Sequence, residues 1–159
     1  MTTTIAAYET QSSTLIAKEY PAAQRWQQPA GVGPITALAY VLLVDEPKRF
    51  RKSRDLGAYF GLVPKLDESS ASAPQLRITK AGDPLGRRLL VSAAHYILGP
   101  FGPPCDLRRA GEALMVRGGP NAKKRAVVAV ARRLAVLLHL LWIHDAPYAP
   151  DYLLKRHAA

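Results

Sequence analysis

The stretch Asn121-Ala122-Lys123-Lys124-Arg125-Ala126-Val127-Val128-Ala129-Val130-Ala131-Arg132-Arg133-Leu134-Ala135-Val136-Leu137-Leu138-His139-Leu140-Leu141-Trp142-Ile143-His144 decides the fold class. Val127, Val130, Leu134, Leu137 and Leu141 recur at helical spacing, while Lys123, Lys124, Arg125, Arg132 and Arg133 fall outside that stripe. The pattern predicts one long helix with a buried apolar side and a cationic outer surface. Asn121, after Gly118-Gly119-Pro120, is expected to cap it. A membrane span over Ala126 to Ile143 would have to bury Arg132 and Arg133 near its middle, so the expectation is a core helix and no membrane.

Working outward, residues 106–116 read as a second helix, and Asp83-Pro84 as N-cap and first residue of a third that Gly99-Pro100 stops near Leu98. Leu85, Leu89, Ser92, Ala93 and Tyr96 are its expected inward face. Between Gly61 and Gly82 the helical pattern lapses, because Pro64, Ser69, Ser70, Ser72 and Pro74 lie close together. There Leu76 and Ile78 alternate with Arg77 and Thr79, as in a short strand or ribbon. Ser53 is the expected N-cap of a short helix through Phe60, with Leu56, Tyr59 and Phe60 inward. Pro34 opens a helix ending near Pro47, with Ile35, Leu38, Ala39, Leu42 and Leu43 as its apolar face. Residues 1–13, polar and threonine-rich, read as a flexible, frayed start, and 14–28 as a short helix before Pro29. Tyr148, Tyr152 and Leu153 read as a terminal strap, with 153–159 a tail. The expected architecture is mainly α: one compact helical domain over residues 14–152, with a helix-hairpin-helix-like element and a long loop carrying at most a short β ribbon.

Charge narrows the function classes. Residues 48–133 hold 18 of the 22 basic and six of the 12 acidic side chains, so the positive charge is central to the chain. Such a field concentrates a polyanion, and each cation that neutralises a phosphate releases a counterion. DNA or RNA is the natural partner; a solvated surface or an anionic membrane surface are the other readings. Cys105 is the only cysteine, which excludes a disulfide framework and a thiolate zinc site and reads best as a small buried hydrophobe. Met-Thr-Thr-Thr lacks the basic region of a secretory signal, so a cytoplasmic location is expected.

Three constellations bear on chemistry. Gly31-Val32-Gly33-Pro34 opens a helix, and Gly31 and Gly33 would let backbone N–H groups approach a phosphate there, unless the element is a plain tight turn. Asp67-Glu68-Ser69-Ser70-Ala71-Ser72 lies between the run Lys48-Arg49-Phe50-Arg51-Lys52-Ser53-Arg54 and Arg77-Ile78-Thr79-Lys80. A serine hydroxyl there could attack phosphorus with cations holding the phosphate charge, or the segment is a surface turn. The carboxylates show no two-metal spacing, and His95 and His139 read as satisfied core residues on apolar helices, so no metal site is expected in this chain.

The ordered string is more specific than any one motif. Gly31-Val32-Gly33-Pro34-Ile35-Thr36-Ala37, Arg49-Phe50-Arg51-Lys52-Ser53-Arg54-Asp55, Gly61-Leu62-Val63-Pro64, Ile78-Thr79-Lys80-Ala81-Gly82-Asp83-Pro84, Arg87-Arg88-Leu89-Leu90, Ile97-Leu98-Gly99-Pro100-Phe101-Gly102, Asp106-Leu107-Arg108-Arg109 and the run from Lys123 to Leu138 together resemble the transposases of the insertion sequence one-ten family. The resemblance runs from about residue 14 to residue 152.

The resemblance implies a carboxy-terminal transposase domain with a serine nucleophile, working beside an amino-terminal RuvC-like domain whose acidic quartet binds magnesium. It also implies a bridge RNA that pairs with target and donor DNA, and strand exchange in a dimer or tetramer. Ser69 stands at the nucleophile position, with Ser70 where glycine is usual. Arg51, Lys52, Arg54, Arg77, Lys80, Lys123, Lys124 and Arg125 are the expected nucleic-acid contacts. Ala110 stands where tryptophan is expected, and Gly86 where a larger residue is typical, each expected to weaken packing. On this reading the chain lacks the RuvC-like domain, takes magnesium only through it, and does not transpose on its own.

Overall fold

The computed structural model describes residues 2–65 and 77–152. Six α-helices occur among them: α1 (Thr2–Glu19), α2 (Pro34–Val44), α3 (Asp55–Tyr59), α4 (Pro84–Leu98), α5 (Asp106–Val116) and α6 (Ala122–His144), with 3-10 turns at Pro21–Gln27 and Pro47–Arg49. The fold is mainly α. Its one β feature among the described residues is an antiparallel bridge between Pro64 and Ile78, the short ribbon expected from the sequence.

The α6 helix is the axis of the molecule. Val130, Ala131, Leu134, Ala135 and Leu138 are fully buried, and α3, α4 and α5 pack around it. It is long and apolar enough to cross a membrane, yet half of its apolar window is buried inside the protein, as the two arginines foretell. Leu90, Ala94 and Ile97 of α4, Leu56 of α3 and Leu107 of α5 join this core; each large apolar side chain fully buried contributes roughly 1.5–3 kcal/mol. A buried polar group enters it with a partner. The Tyr40 hydroxyl donates to the Ala135 carbonyl at 2.6 Å, and burial pushes that phenol far above its ordinary pKa. Trp26 and Trp142, with ring centres 4.5 Å apart, close the other end.

Several helix ends follow the sequence signals. Asp83 Oδ1 accepts from Gly86 N at 2.7 Å and Pro84 opens α4; Gly33 and Pro34 begin α2. Asn121 precedes α6 as expected, but caps it through a left-handed backbone (φ 56°) without a side-chain hydrogen bond. Beyond α6 the chain returns as a strap: Asp106 N donates to Pro150 O at 2.8 Å, and Tyr148 N donates to Gln28 Oε1 at 2.9 Å. Tyr152 is exposed, and Leu153 lies outside the described residues.

Other expectations are corrected. The inward face of α2 is Thr36, Ala37, Tyr40, Val41 and Val44, while Ile35 and Leu42 are exposed. That of α4 is Gly86, Leu90, Ala93, Ala94 and Ile97, with Leu85 and Tyr96 exposed. Both segments are apolar on more than one side, so periodicity alone did not select the side that meets α6. Ser53 does not cap α3; Arg54 holds that position, and the Ser53 hydroxyl is engaged by His139. Residues 2–13 continue α1 as helix. Residues 3–13 bury no side chain, Ile16 being the anchor, and local bonds such as Thr10 Oγ1 to Ala6 O support the turns. At Gly86 a methyl group would lie 2.6 Å from Leu43 Cδ1 and 2.7 Å from Phe60 Cε1, so these side chains come close to the helix there, beside a small apolar cavity that Gly86 lines with Tyr40, Leu89 and Leu90.

Candidate nucleic-acid interface

The basic run is fixed from beneath by a histidine. The His139 ring is fully buried, with Nε2 2.8 Å from the Pro47 carbonyl and Nδ1 2.9 Å from Ser53 Oγ. A carbonyl can only accept, so Nε2–H donates to Pro47 and Nδ1 accepts from the serine hydroxyl. Phe50 stands edge-on to His139 and to Tyr59, and the Arg49 guanidinium lies 4.9 Å from the Phe50 ring centre and 5.0 Å from that of Tyr59. Arg49 is thus engaged by the two rings and by the Leu43 carbonyl, although it remains exposed. Arg51, Lys52 and Arg54 point to solvent, and among the described residues no carboxylate pairs with them.

Beyond α3 the chain enters and leaves the ribbon. Lys65 N donates to Arg77 O at 2.9 Å, Thr79 N to Val63 O at 2.9 Å, and Lys80 N to Gly61 O at 3.1 Å. Gly61 has φ 67°, and a side chain there would strike the Ala81 backbone. Arg87 Nη1 donates to Ala81 O at 3.1 Å and to Phe60 O at 3.3 Å, tying the ribbon's return to α4. Lys65, Arg77 and Lys80 are exposed at this mouth. Ser69 and Ser70, with Asp67 and Glu68, lie outside the described residues.

Arg132 links the ribbon to α6. A methyl group on Gly57 would sit 2.7 Å from Arg132 Cγ and 3.6 Å from Val63 Cγ1, so the arginine stem crosses α3 beside the ribbon while its head is exposed. Arg132 and Lys65 therefore join the expected cations of this region. Sequence reading placed Arg132 on the outer surface of α6 but had no means to know which loop that surface would meet. Lys65 was overlooked; its place opposite Arg77 across the loop was the available signal.

The remaining candidates lie elsewhere. Lys123 and Lys124 are exposed on the first turn of α6, about 12 Å or more along the axis from Arg132. Arg125 is half-buried and donates to Gly118 O at 2.6 Å, holding the turn before α6. Gly31 has φ 79° and lies against α4: a methyl group would come 2.7 Å from Ala93 O. Close helix packing is thus sufficient reason for that glycine. Gly33 is exposed with open space where a side chain would point. Both glycines line an open groove of about 960 Å3 shared with Gln28, Tyr96, Pro103 and Tyr148.

Four carboxylates and one histidine are held in structural pairs. Asp106 and Asp151 both accept from Arg109, raising its pKa through those hydrogen bonds; Glu112 pairs with Arg108 and Asp145 with Arg25. Among the described residues no group of three or more His, Cys, Asp or Glu is placed to hold a metal ion. His139 is a satisfied core residue, as expected, whereas His95 is exposed because the outer side of α4 carries it. Cys105 is buried as a small hydrophobe. Burial, and after it Cys105, raises the Tyr148 phenol.

The helical scaffold thus holds exposed arginines and lysines around the mouth of one loop, with no carboxylate partner for them among the described residues. Residues 23–104 match the family described as Transposase IS116/IS110/IS902, and the chain belongs to that family. It is similar to the transposase for insertion sequence element IS1111A of Coxiella burnetii, with 34% identity over 134 residues, 84% of this chain and 36% of that protein. It also resembles the transposase for insertion sequence element IS1328 of Yersinia enterocolitica, with 39% identity over 76 residues, 48% of this chain and 23% of that protein. The chain thus spans about a third of the length of the first of these relatives.

Proposed function

We propose that this chain is the DNA-gripping, carboxy-terminal part of a transposase in which Ser69 is the nucleophile for strand cleavage and exchange. The observation that carries the reading is the mouth of the 66–76 segment. The residues that flank it, Lys65 and Arg77, are hydrogen-bonded to each other, the Arg132 stem packs against α3 at Gly57 beside Val63, and the exposed Arg51, Lys52 and Arg54 precede α3 with no carboxylate partner among the described residues. A phosphodiester drawn to that mouth would lie near a hydroxyl carried by the segment. In the reaction, Ser69 Oγ bonds to phosphorus as the bond from phosphorus to one deoxyribose oxygen breaks. The serine proton passes to solvent, and the departing oxygen takes one up. Phosphate charge is offset by the surrounding guanidinium and ammonium groups.

Magnesium chemistry, in this reading, belongs to a RuvC-like domain outside the chain, and no step is assigned to it here. A bridge RNA would select sequence by base pairing while this domain holds backbones, in an oligomer and in the cytoplasm. The chain alone is then expected to bind without rejoining strands.

The test supplies a RuvC-like domain and a bridge RNA in trans and isolates covalent protein–DNA adducts. An adduct that forms with the native chain and disappears in Ser69→Ala is the expected result. Equal adduct in both removes Ser69 as nucleophile. Equal DNA binding with no adduct in either points to a non-catalytic module gripping DNA through the turn at Gly31 and Gly33.

A further inference from the structure

Residues 84–105 contain no aspartate or glutamate, and Arg88, Ser92, His95 and Tyr96 are exposed along the outer side of α4 at helical spacing. This acid-free side starts at the ribbon, where Arg87 ties α4 to Ala81, and runs about 22 Å to the turn at residues 99–102. There Phe101 stands 83% exposed. A single exposed apolar side chain is ordinary. Its support here is not. Arg108 Nη1 donates to three carbonyls of this turn, Ile97 at 2.9 Å, Gly99 at 2.7 Å and Gly102 at 3.0 Å, while its Nε donates to Glu112 at 2.7 Å. A methyl group on Gly102 would lie 2.2 Å from Ile97 O, so only glycine closes the turn this way. Phe101 is therefore presented on a rigid base. Tyr96, 49% exposed, borders the open groove described above, which Pro103 and Pro104 also line directly after the Phe101 turn.

We propose that the outer side of α4 and the Phe101 turn form a contact for an unpaired nucleic-acid strand, with Arg88 on phosphate and Tyr96 and Phe101 as stacking platforms for bases. The inference rests on the nucleic-acid-binding reading above. Duplex bases are already stacked on one another, whereas unpaired bases offer open faces that gain by stacking on an aromatic ring. Residues 84–105 carry no carboxylate, and Glu112 beside the turn is paired with Arg108, which in a chain of formal charge +10 favours an anionic partner over a cationic or neutral one; the exposed rings of Tyr96 and Phe101 favour one that offers open base faces.

The experiment titrates the full chain into a single-stranded oligodeoxynucleotide carrying 2-aminopurine, and into the duplex of the same sequence. Native protein quenches the probe. Phe101→Ala weakens single-strand binding about tenfold and abolishes most of the quenching. Duplex affinity stays unchanged, and Phe101→Trp restores both losses. Circular dichroism of the Phe101→Ala chain should match the native spectrum. Native-like affinity and quenching in Phe101→Ala overturn this contact while leaving the basic run intact, provided Arg51→Ala with Lys52→Ala still loses binding. No binding of either oligonucleotide by native protein at low salt overturns both this inference and the reading beneath it. Loss of self-association in sedimentation, with oligonucleotide binding unchanged, assigns Phe101 to a protein contact and likewise overturns it.

Discussion

The region built from α4, α5 and α6 and the region that carries the basic run and ribbon are held by different means. In the first, interlocking apolar side chains such as Leu90, Ile97, Val130 and Leu134 are buried together. In the second, residues 47–65 and 77–82 reach the core through Leu56, Phe60 and Leu62. Beyond the contacts of Phe50 with Tyr59 and His139, their course is set by a few polar anchors: His139 to Pro47 and Ser53, Tyr59 to Leu43, and Arg87 to Phe60 and Ala81. Packing resists change everywhere at once, whereas individual hydrogen bonds set where a loop sits. The molecule thus separates what keeps it folded from what aims its cations.

That contrast can be broken most forcefully in the packed region. Leu134→Ala removes a side chain with no solvent exposure and should cost about 3 kcal/mol of stability in urea unfolding. Oligonucleotide affinity should be kept wherever the variant is still folded. His139→Leu attacks the other region, leaving Pro47 O and Ser53 Oγ without their partner. We expect a loss of about 2 kcal/mol together with weaker nucleic-acid binding. Stability lost with binding intact would show that the anchor does not aim the basic run.

Tyr40 sharpens the comparison through pH. Its phenol is raised by burial, so the stability it contributes is whole below the unfolded value of about 10 and is lost as pH climbs above it, where only the unfolded chain ionises. Tyr40→Phe should cost about 1 kcal/mol at neutral pH and flatten part of the alkaline fall in stability. Unfolding titrations from neutral to alkaline buffer check both. The smallest effect on stability belongs to the exposed cations. Arg51→Ala with Lys52→Ala should change stability by no more than about 0.5 kcal/mol, yet lower the slope of log affinity against log salt by about 2.

Much of the packed region was legible in the sequence, because Asp83-Pro84, Gly99-Pro100, Asp106 and Gly118-Gly119-Pro120 punctuate α4, α5 and α6 with residues that can do little else. Which side of α2 and α4 turns inward was not, since both have apolar residues on several sides and only tertiary contact chooses. His95 and His139 looked alike in sequence. Only the second meets a carbonyl and a hydroxyl from a loop some 90 positions away, a pairing that no local pattern announces. For the same reason the expected contacts part company: Arg77 and Lys80 flank the ribbon near Arg132, Arg51, Lys52 and Arg54 belong to the run anchored on His139 further along α6, Lys123 and Lys124 lie on the first turn of that helix, and Arg125 is drawn into a turn.

Photocrosslinking native protein to bromodeoxyuridine-substituted DNA, followed by mass mapping of the attached peptides, tests the assignment of DNA contact to the ribbon mouth. Adducts are expected on peptides spanning residues 48–65, 77–88 and 126–133, and should decline together as salt is raised. Adducts confined to α1 or to the strap around Tyr148, or adducts indifferent to salt, would contradict it.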